Sequence, residues 1–314
     1  MPHTIHPYNV NMNTRMPIRI AMPLLLGVLL LPVSASAGGL KLGKLFKMSK
    51  AQETEIAQEM NVELAKEPGL ISEGRYYNQI QRVGKRLVEK NGLDEYDYQF
   101  FLIDQDEVNA FATPAGYIYV SVALMDVMAY DEAMLSGVMA HELGHAKDRH
   151  VAKGYEKMMQ GALGFTVLDI LLGKDYKLAT DILFAGGQLV YLKYNRDQEE
   201  WADRYGVELN HGAGYDAYGL MRALQCLEAL HGSGGKIAEY MSTHPDTGSR
   251  IERSRAIAQD ACGAEHGYLP IPRPPDKEHP LWELYGGEGP APVVKSTQPV
   301  NQPNDATEIR KGTS

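Results

Sequence analysis

The residues of this chain best suited to chemistry are two histidines four positions apart with a glutamate after the first: His141-Glu142-Leu143-Gly144-His145. On an α-helix, positions four apart lie about 40° apart around the axis and one turn apart along it, so both imidazoles can reach one ion. Glu142 is badly placed to join the same coordination shell but well placed to take a proton from a water on the ion. H-E-x-x-H provides that division of labour for metal-assisted hydrolysis. Such a short pattern also arises by chance, which makes its neighbours informative. The residues before it predict a helix with apolar Met134, Leu135, Val138 and Met139. Ala133, Gly137, Ala140 and Gly144 form a second, small-residue stripe against which another backbone can press. A glycine costs about 1 kcal/mol inside a helix, so two beside a metal motif imply that room is needed.

A third ligand must come from elsewhere. His150 is five residues past His145; on a continuing helix it lies about 180° from His141 and points away. The H-E-x-x-H-x-x-G-x-x-H arrangement is not met either, because Asp148 and Val151 stand at its last two fixed positions. Catalytic zinc is commonly held by two histidines and a glutamate, with water in the fourth place. Asn195 to Asp203 supplies acids: Glu199 and Asp203 share a helix face with small Ala202 and Gly206, while Glu200 is turned about 100° away. Glu199 is the preferred ligand, with Glu200 the alternative if the register differs. Asp203 is placed to hold a histidine ring by its second nitrogen. Alone, the same acids could equally be a solvated helix face.

Taken together, His141-Glu-Leu-Gly-His145 and, about fifty residues on, Arg196-x-x-Glu199-x-x-Ala202-Asp203 resemble the HtpX/BepA/LoiP-type gluzincin zinc metallopeptidases, metallopeptidase family forty-eight, related to the CAAX prenyl proteases. Asn109-Ala110-Phe111-Ala112-x-Pro114-x-Gly116-Tyr117-Ile118-Tyr119-Val120 resembles the segment upstream of that family's metal helix. Ser242-Thr243-His244-Pro245 with Arg250 resembles its downstream histidine motif. The likeness covers roughly residues 49 to 260, with departures at Ala115, where the family has a second glycine, and Asn195, where serine is common. It implies an α+β, mainly helical, zincin-like domain with a small β-sheet beside the active-site helix, one zinc ion per chain, and His244 facing that zinc to hydrogen-bond an oxyanion. Without the likeness, His244 before a proline reads as a turn residue.

The elements that must position these groups are partly visible. Ser49-x-x-Gln52 is a capping box opening a helix to about Lys66, and Tyr76, Ile80, Val83 and Leu87 give a second helix an apolar face. Tyr98 to Ile103 and Gly116 to Val120 read as strands. The second, with Gly116, Tyr117, Ile118 and Tyr119, either offers an exposed edge that an extended substrate could pair with or is an ordinary covered strand. Tyr215 to Leu230 and Thr247 to Ala261 read as helices. Met158 to Leu172 is apolar apart from Asp169, and is either a packed core helix or a lid over the cleft.

Arg15 and Arg19 precede an apolar run from Ile20 to Val33 ending in Ala35-Ser36-Ala37, the pattern of a signal peptide cleaved after Ala37. The run is shorter than the roughly twenty residues a spanning helix needs. Translation starting at Met12 or Met16 would give a shorter leader. The expected organisation is therefore 1–37 signal peptide, 38–48 linker, 49–267 catalytic domain and 268–314 a Pro-rich, largely irregular tail. The expected location is periplasmic, with contact to a membrane surface left open. Removing residues 1–37 takes two arginines and no acids from 31 basic and 40 acidic residues, so the net charge moves from -9 to -11. That balance argues against nucleic-acid partners. In an oxidising compartment the only cysteines, Cys226 and Cys262, are either a disulfide or two independent thiols. Two functions fit: a zinc-dependent metalloendopeptidase of the cell envelope hydrolysing unfolded or misassembled polypeptides, with the outer-membrane surface or envelope proteins as further candidate partners, or a non-catalytic, chaperone-like client binder on the same scaffold. An intact Glu142 favours the first.

Overall fold

The computed structural model describes residues 47–162, 193–232, 236–245 and 247–262, with isolated positions between 274 and 282. Helix α1 (Lys50–Leu64) opens on the expected capping box: the Ser49 side chain accepts from Gln52 N–H, and the Gln52 side chain accepts from Ser49 N–H. Helix α2 (Arg75–Asn91) buries Ile80, Val83 and Leu87 and ends at Gly92, whose left-handed φ of 61° closes it.

Strands β1 (Leu70–Ile71), β2 (Gln99–Ile103), β3 (Ala110–Ala112) and β4 (Tyr117–Ser121) form one sheet in the order β1-β2-β4-β3. β2 and β4 are parallel, and the outer pairs are antiparallel. Side chains alternate between the faces. Phe100, Leu102, Ile118 and Val120 join the main core with α2. Ile103, Phe111 and Tyr119 build a second cluster with Leu64 of α1, in which Phe101, Tyr119 and Phe111 stack at centroid spacings of 4.9 Å. β4 lies between β2 and β3, hydrogen-bonded on both sides. The expectation of a free edge at Gly116 to Tyr119 is therefore corrected: strand order, invisible to periodicity, makes β3 the edge on that side.

Helix α3 (Val122–Met128) leads into the metal helix α4 (Glu132–Lys147), whose first turn is capped by Asp131 Oδ1 accepting from Ala133 and Met134 N–H. α4 packs chiefly on α6 (Arg196–Gly212) and α7 (Gly219–Gly232). The small residues make that contact possible. A Cβ on Gly137 would sit 2.4 Å from the Leu220 backbone nitrogen, and one on Gly206 would sit 2.9 Å from that of His141. Helix α7 starts at Gly219, four residues later than expected, because Asp216 makes a turn and accepts from Tyr218 N–H. Short α8 (Ala238–Thr243) and α9 (Thr247–Cys262) complete the described chain.

α4 does not continue through His150. It ends at Lys147, Arg149 takes a left-handed φ of 55°, and a new helix α5 (His150–Ala162) begins. That conformation costs a non-glycine residue roughly 1 kcal/mol. Three contacts of the Arg149 guanidinium offset it: Glu53 Oε1 at 2.6 Å, Glu156 Oε1 at 3.0 Å and the Met48 carbonyl at 2.9 Å. Most of Met158 to Leu172 lies outside the described residues, as do the leader and the tail. The cysteines are unbridged. Cys226 is buried with its thiol donating to Met134 Sδ at 3.6 Å, so of the two open alternatives the structure has independent thiols.

Candidate active site

Helix α4 delivers His141, Glu142 and His145 on consecutive sides of one turn, all fully buried. Helix α6 opens on its own capping box, Asn195 with Gln198, which sets the register that turns Glu199 and Asp203 towards α4. Glu199 is 1 % exposed and faces both histidines, while Glu200 is exposed, so Glu199 is the residue brought to the centre. His244, just after α8, comes to the same point.

One nitrogen or oxygen from each of His141, His145, Glu199 and His244 lies within 4.8 Å of every other. The separations are 3.0 Å between His141 Nε2 and His145 Nε2, 3.4 Å between His141 Nε2 and His244 Nδ1, 3.3 Å between His145 Nε2 and Glu199 Oε1, and 3.1 Å between His244 Nδ1 and Glu199 Oε1. Ligands about 2.0–2.1 Å from one zinc ion stand roughly 3–4 Å apart, so these four spacings suit donors that share one ion. Two neutral imidazole nitrogens held 3.0 Å apart share at most one hydrogen bond, whereas a cation between them engages both. The residues therefore fit a bound metal ion.

Around this donor set the electrostatics are unusual. Among the described residues, both oxygens of Glu142 and Nε2 of His244 are buried without a hydrogen-bond partner, and His244 Nε2 is 3.6 Å from Glu142 Oε1. Burial pushes the Glu142 carboxyl above its ordinary range, against the pull of His244 and His141. Burial also drives His145 well below the usual imidazole value, with the Glu199 hydrogen bond opposing it, which leaves the ring neutral as a metal ligand must be. For Glu199 burial works upwards, but Arg250, His244 and the hydrogen bond from His145 outweigh it and hold the carboxyl well below the usual range. For His244 burial works downwards, but the charges of Glu199 and Glu142 raise it overall.

Arg250, on α9, is fully buried, and sequence reasoning gave it no role. Its Nη1 lies 2.7 Å from Glu199 Oε2, its Nε donates to Asp203 Oδ2 at 3.0 Å and its Nη2 to Asp203 Oδ1 at 2.7 Å. Asp203 in turn accepts from Nδ1 of His141 at 3.1 Å, the outer contact expected of it. Burial raises the Asp203 carboxyl, but Arg250 and His141 overcome this and bring it down to about 2.

His150 does not enter the donor set, as expected, but it does not point away. Because the chain reverses at Arg149, its Nδ1 sits 2.8 Å from Nδ1 of His145, and its Nε2 sits 2.7 Å from Asp148 Oδ2. Tyr194 stacks on His145 with centroids 3.7 Å apart and planes 16° from parallel. Gly116, Tyr117, Ile118 and Tyr119 remain near the sheet centre, and none belongs to the donor cluster.

A mainly helical domain with a small mixed sheet and two histidines of one helix facing a glutamate of the next defines the class of zincin-like metallopeptidase domains. Residues 75–258 match the model of Peptidase family M48, more than half of the chain, and the chain belongs to that family. It is 28% identical over 215 residues to the Beta-barrel assembly-enhancing protease of Escherichia coli (strain K12), covering 66% of this chain and 44% of that protein. It is 32% identical over 169 residues to the Mitochondrial metalloendopeptidase OMA1 of Arabidopsis thaliana, covering 53% of this chain and 32% of that one. With Metalloendopeptidase OMA1, mitochondrial, of Bos taurus the identity is 29% over 246 residues, 73% of this chain and 46% of the relative. The aligned region thus spans less than half the length of each of these proteins. Among the described residues, no helix is long and apolar enough to cross a membrane.

Proposed function

We propose that the chain is a zinc endopeptidase acting on unfolded or misassembled envelope proteins in the periplasm, after removal of residues 1–37. The observation that carries this reading is the buried four-residue donor cluster with the carboxylate of Glu142, which has no hydrogen-bond partner among the described residues, beside it. His141, His145 and Glu199 would hold zinc, whose chemistry there is to acidify a water and polarise a scissile carbonyl. Glu142 takes the proton of the attacking water and returns it to the leaving amine; its raised pKa suits a group that must do both. A working site needs one place open to water. His244 Nδ1 is the only donor not carried by α4 or α6, so it is the one to yield. Its ring then lies close enough to donate a hydrogen bond to the developing oxyanion.

Among the described residues neither strand offers an open edge for main-chain binding, because β4 is paired on both sides and β3 is buried, with Ala110 at 0% and Ala112 at 5% exposure. Asn109 and Thr113 hydrogen-bond to Ser121 and Tyr117. By the alternation of antiparallel ladders, Ala110 and Ala112 between them direct their N–H and C=O groups away from β4. Relatives named for enhancing β-barrel assembly support envelope proteins in the course of assembly as the substrate class. The chaperone-like alternative is disfavoured because a pure binder has no use for a buried carboxylate without a partner, which is costly to maintain.

Casein hydrolysis by the purified chain, with and without a chelator and after zinc is restored, tests the reading. Activity should vanish with the chelator and return with zinc. Glu142→Gln should keep one zinc per chain and lose roughly 10²–10⁴-fold in turnover; full turnover in that variant overturns the assignment.

A further inference from the structure

His150 was set aside as a ligand, yet it is buried to 3 % exposure in direct contact with one. Its place depends on the reversal at Arg149, which turns the first residue of α5 back onto α4. The contacts fix every proton along the row. His145 offers Nε2 to the metal position, so its own proton is on Nδ1 and is donated to Nδ1 of His150, 2.8 Å away. His150 accepts there, so its proton is on Nε2 and is donated to Asp148 Oδ2 at 2.7 Å. Asp148 is 39% exposed and is also held by Lys153 Nζ at 2.8 Å, so the row ends at the surface. His141 is tethered differently, through a buried carboxylate paired with Arg250.

We propose that His150 is a positioning residue for the metal site: it selects the tautomer and ring orientation of His145 and thereby couples metal occupancy to the docking of α5. The inference rests on the metal-site reading above. Metal on Nε2 locks the His145 proton onto Nδ1 and strengthens the bond to His150, and by linkage anything that seats α5 raises metal affinity by the same factor. The first residue of α5 is the one that makes this contact, so the metal position and the helix begin to move as one unit.

The test is zinc affinity of the full chain, measured by competition with a chromophoric chelator, alongside amide hydrogen exchange over residues 151–157. His150→Phe keeps a ring in the cavity but cannot accept, and zinc affinity should fall roughly 10–100-fold, the usual cost of losing such a contact. His150→Gln presents an oxygen to His145 Nδ1 and should stay within about threefold of the wild type on the same ground. Zinc should slow exchange in 151–157 of the wild type and of His150→Gln, and leave it unchanged in His150→Phe. Should His150→Phe fail to fold, Asp148→Ala at the exposed end of the row removes the acceptor of the His150 proton and should weaken zinc binding several-fold. A wild type that binds no zinc defeats the metal-site reading itself. A wild type that binds while His150→Phe, or Asp148→Ala in its place, binds equally tightly overturns the role of His150. Equal weakening by Phe and Gln overturns it too, because packing and not the hydrogen bond would then be at work.

Discussion

Two buried arginines, each facing two carboxylates, sit at opposite ends of the metal helix, and they differ in what is left over. At the N-terminal end, Arg222 donates from Nε to Asp131 Oδ2 at 3.3 Å and from Nη1 to Asp216 Oδ2 at 2.6 Å. The remaining oxygens are also used: Asp131 Oδ1 caps α4 and Asp216 Oδ1 accepts from Tyr218 N–H. Towards the C-terminal end, beside His141, Arg250 binds Glu199 and Asp203, but among the described residues the adjoining Glu142 oxygens and His244 Nε2 have no hydrogen-bond partner. Saturated polar clusters hold a fold together, whereas one with buried groups left over is shaped for something absent from the polypeptide.

The sharpest way to break this comparison is to remove each arginine. Arg222→Ala should destabilise the protein by about 3–5 kcal/mol whether or not zinc is present, because it strands the buried Asp131 carboxylate and the part-buried Asp216. Arg250→Ala should cost a similar amount in the metal-free protein, and zinc should restore part of it, because Glu199 regains a cation. Urea unfolding of both variants with and without zinc decides the matter; equal zinc responses would erase the distinction.

A smaller effect comes from pH. The Asp203 carboxyl is at about 2 in the folded chain and near its ordinary 3.8 when unfolded. Its contribution, roughly 2 kcal/mol, is therefore fully present above about pH 4 and is lost as the pH falls towards 2. Asp203→Asn should flatten that part of the stability curve and weaken zinc binding roughly 10–100-fold at neutral pH. Urea midpoints of wild type and variant between pH 5 and pH 2.5 check the sign; parallel curves would refute it.

The smallest effects separate the two helix contacts. A Cβ on Gly144 would meet Ala202 Cα at 3.2 Å, a mild overlap, and the helix gains about 1 kcal/mol from replacing glycine. Gly144→Ala should thus change thermal stability by less than about 1 kcal/mol. Gly137→Ala, meeting Leu220 nitrogen at 2.4 Å, should destabilise by about 1–3 kcal/mol. Thermal unfolding that ranks them the other way would contradict the packing.

What could be read from sequence was whatever one helix encodes by itself. The four-residue spacing of His141 and His145, the shared face of Glu199 and Asp203, and the small stripe at Gly137 and Gly144 all follow from a rise and a turn per residue. What could not be read lies between elements. The reversal at Arg149 is stabilised by Glu53, almost a hundred residues earlier, so no local signal announces that His150 turns inward. Arg250 could be marked as part of a motif with His244, but its role could not be read until α9 is laid on α6. The strand signal at Gly116 to Val120 was sound, but neighbours and edges belong to the sheet, and β3 is too short to show in a pattern.

That shortness has a consequence for a protein proposed to meet unfolded chains. A strand three residues long spans about 10 Å and has only Ala110 and Ala112 with main-chain groups directed away from β4. Long, flat edges recruit strands from other molecules and template their growth into aggregates. In this chain that short outer strand is also covered, with Ala110 fully buried and Ala112 at 5% exposure, so among the described residues β3 does not hold out a ladder for another chain to extend.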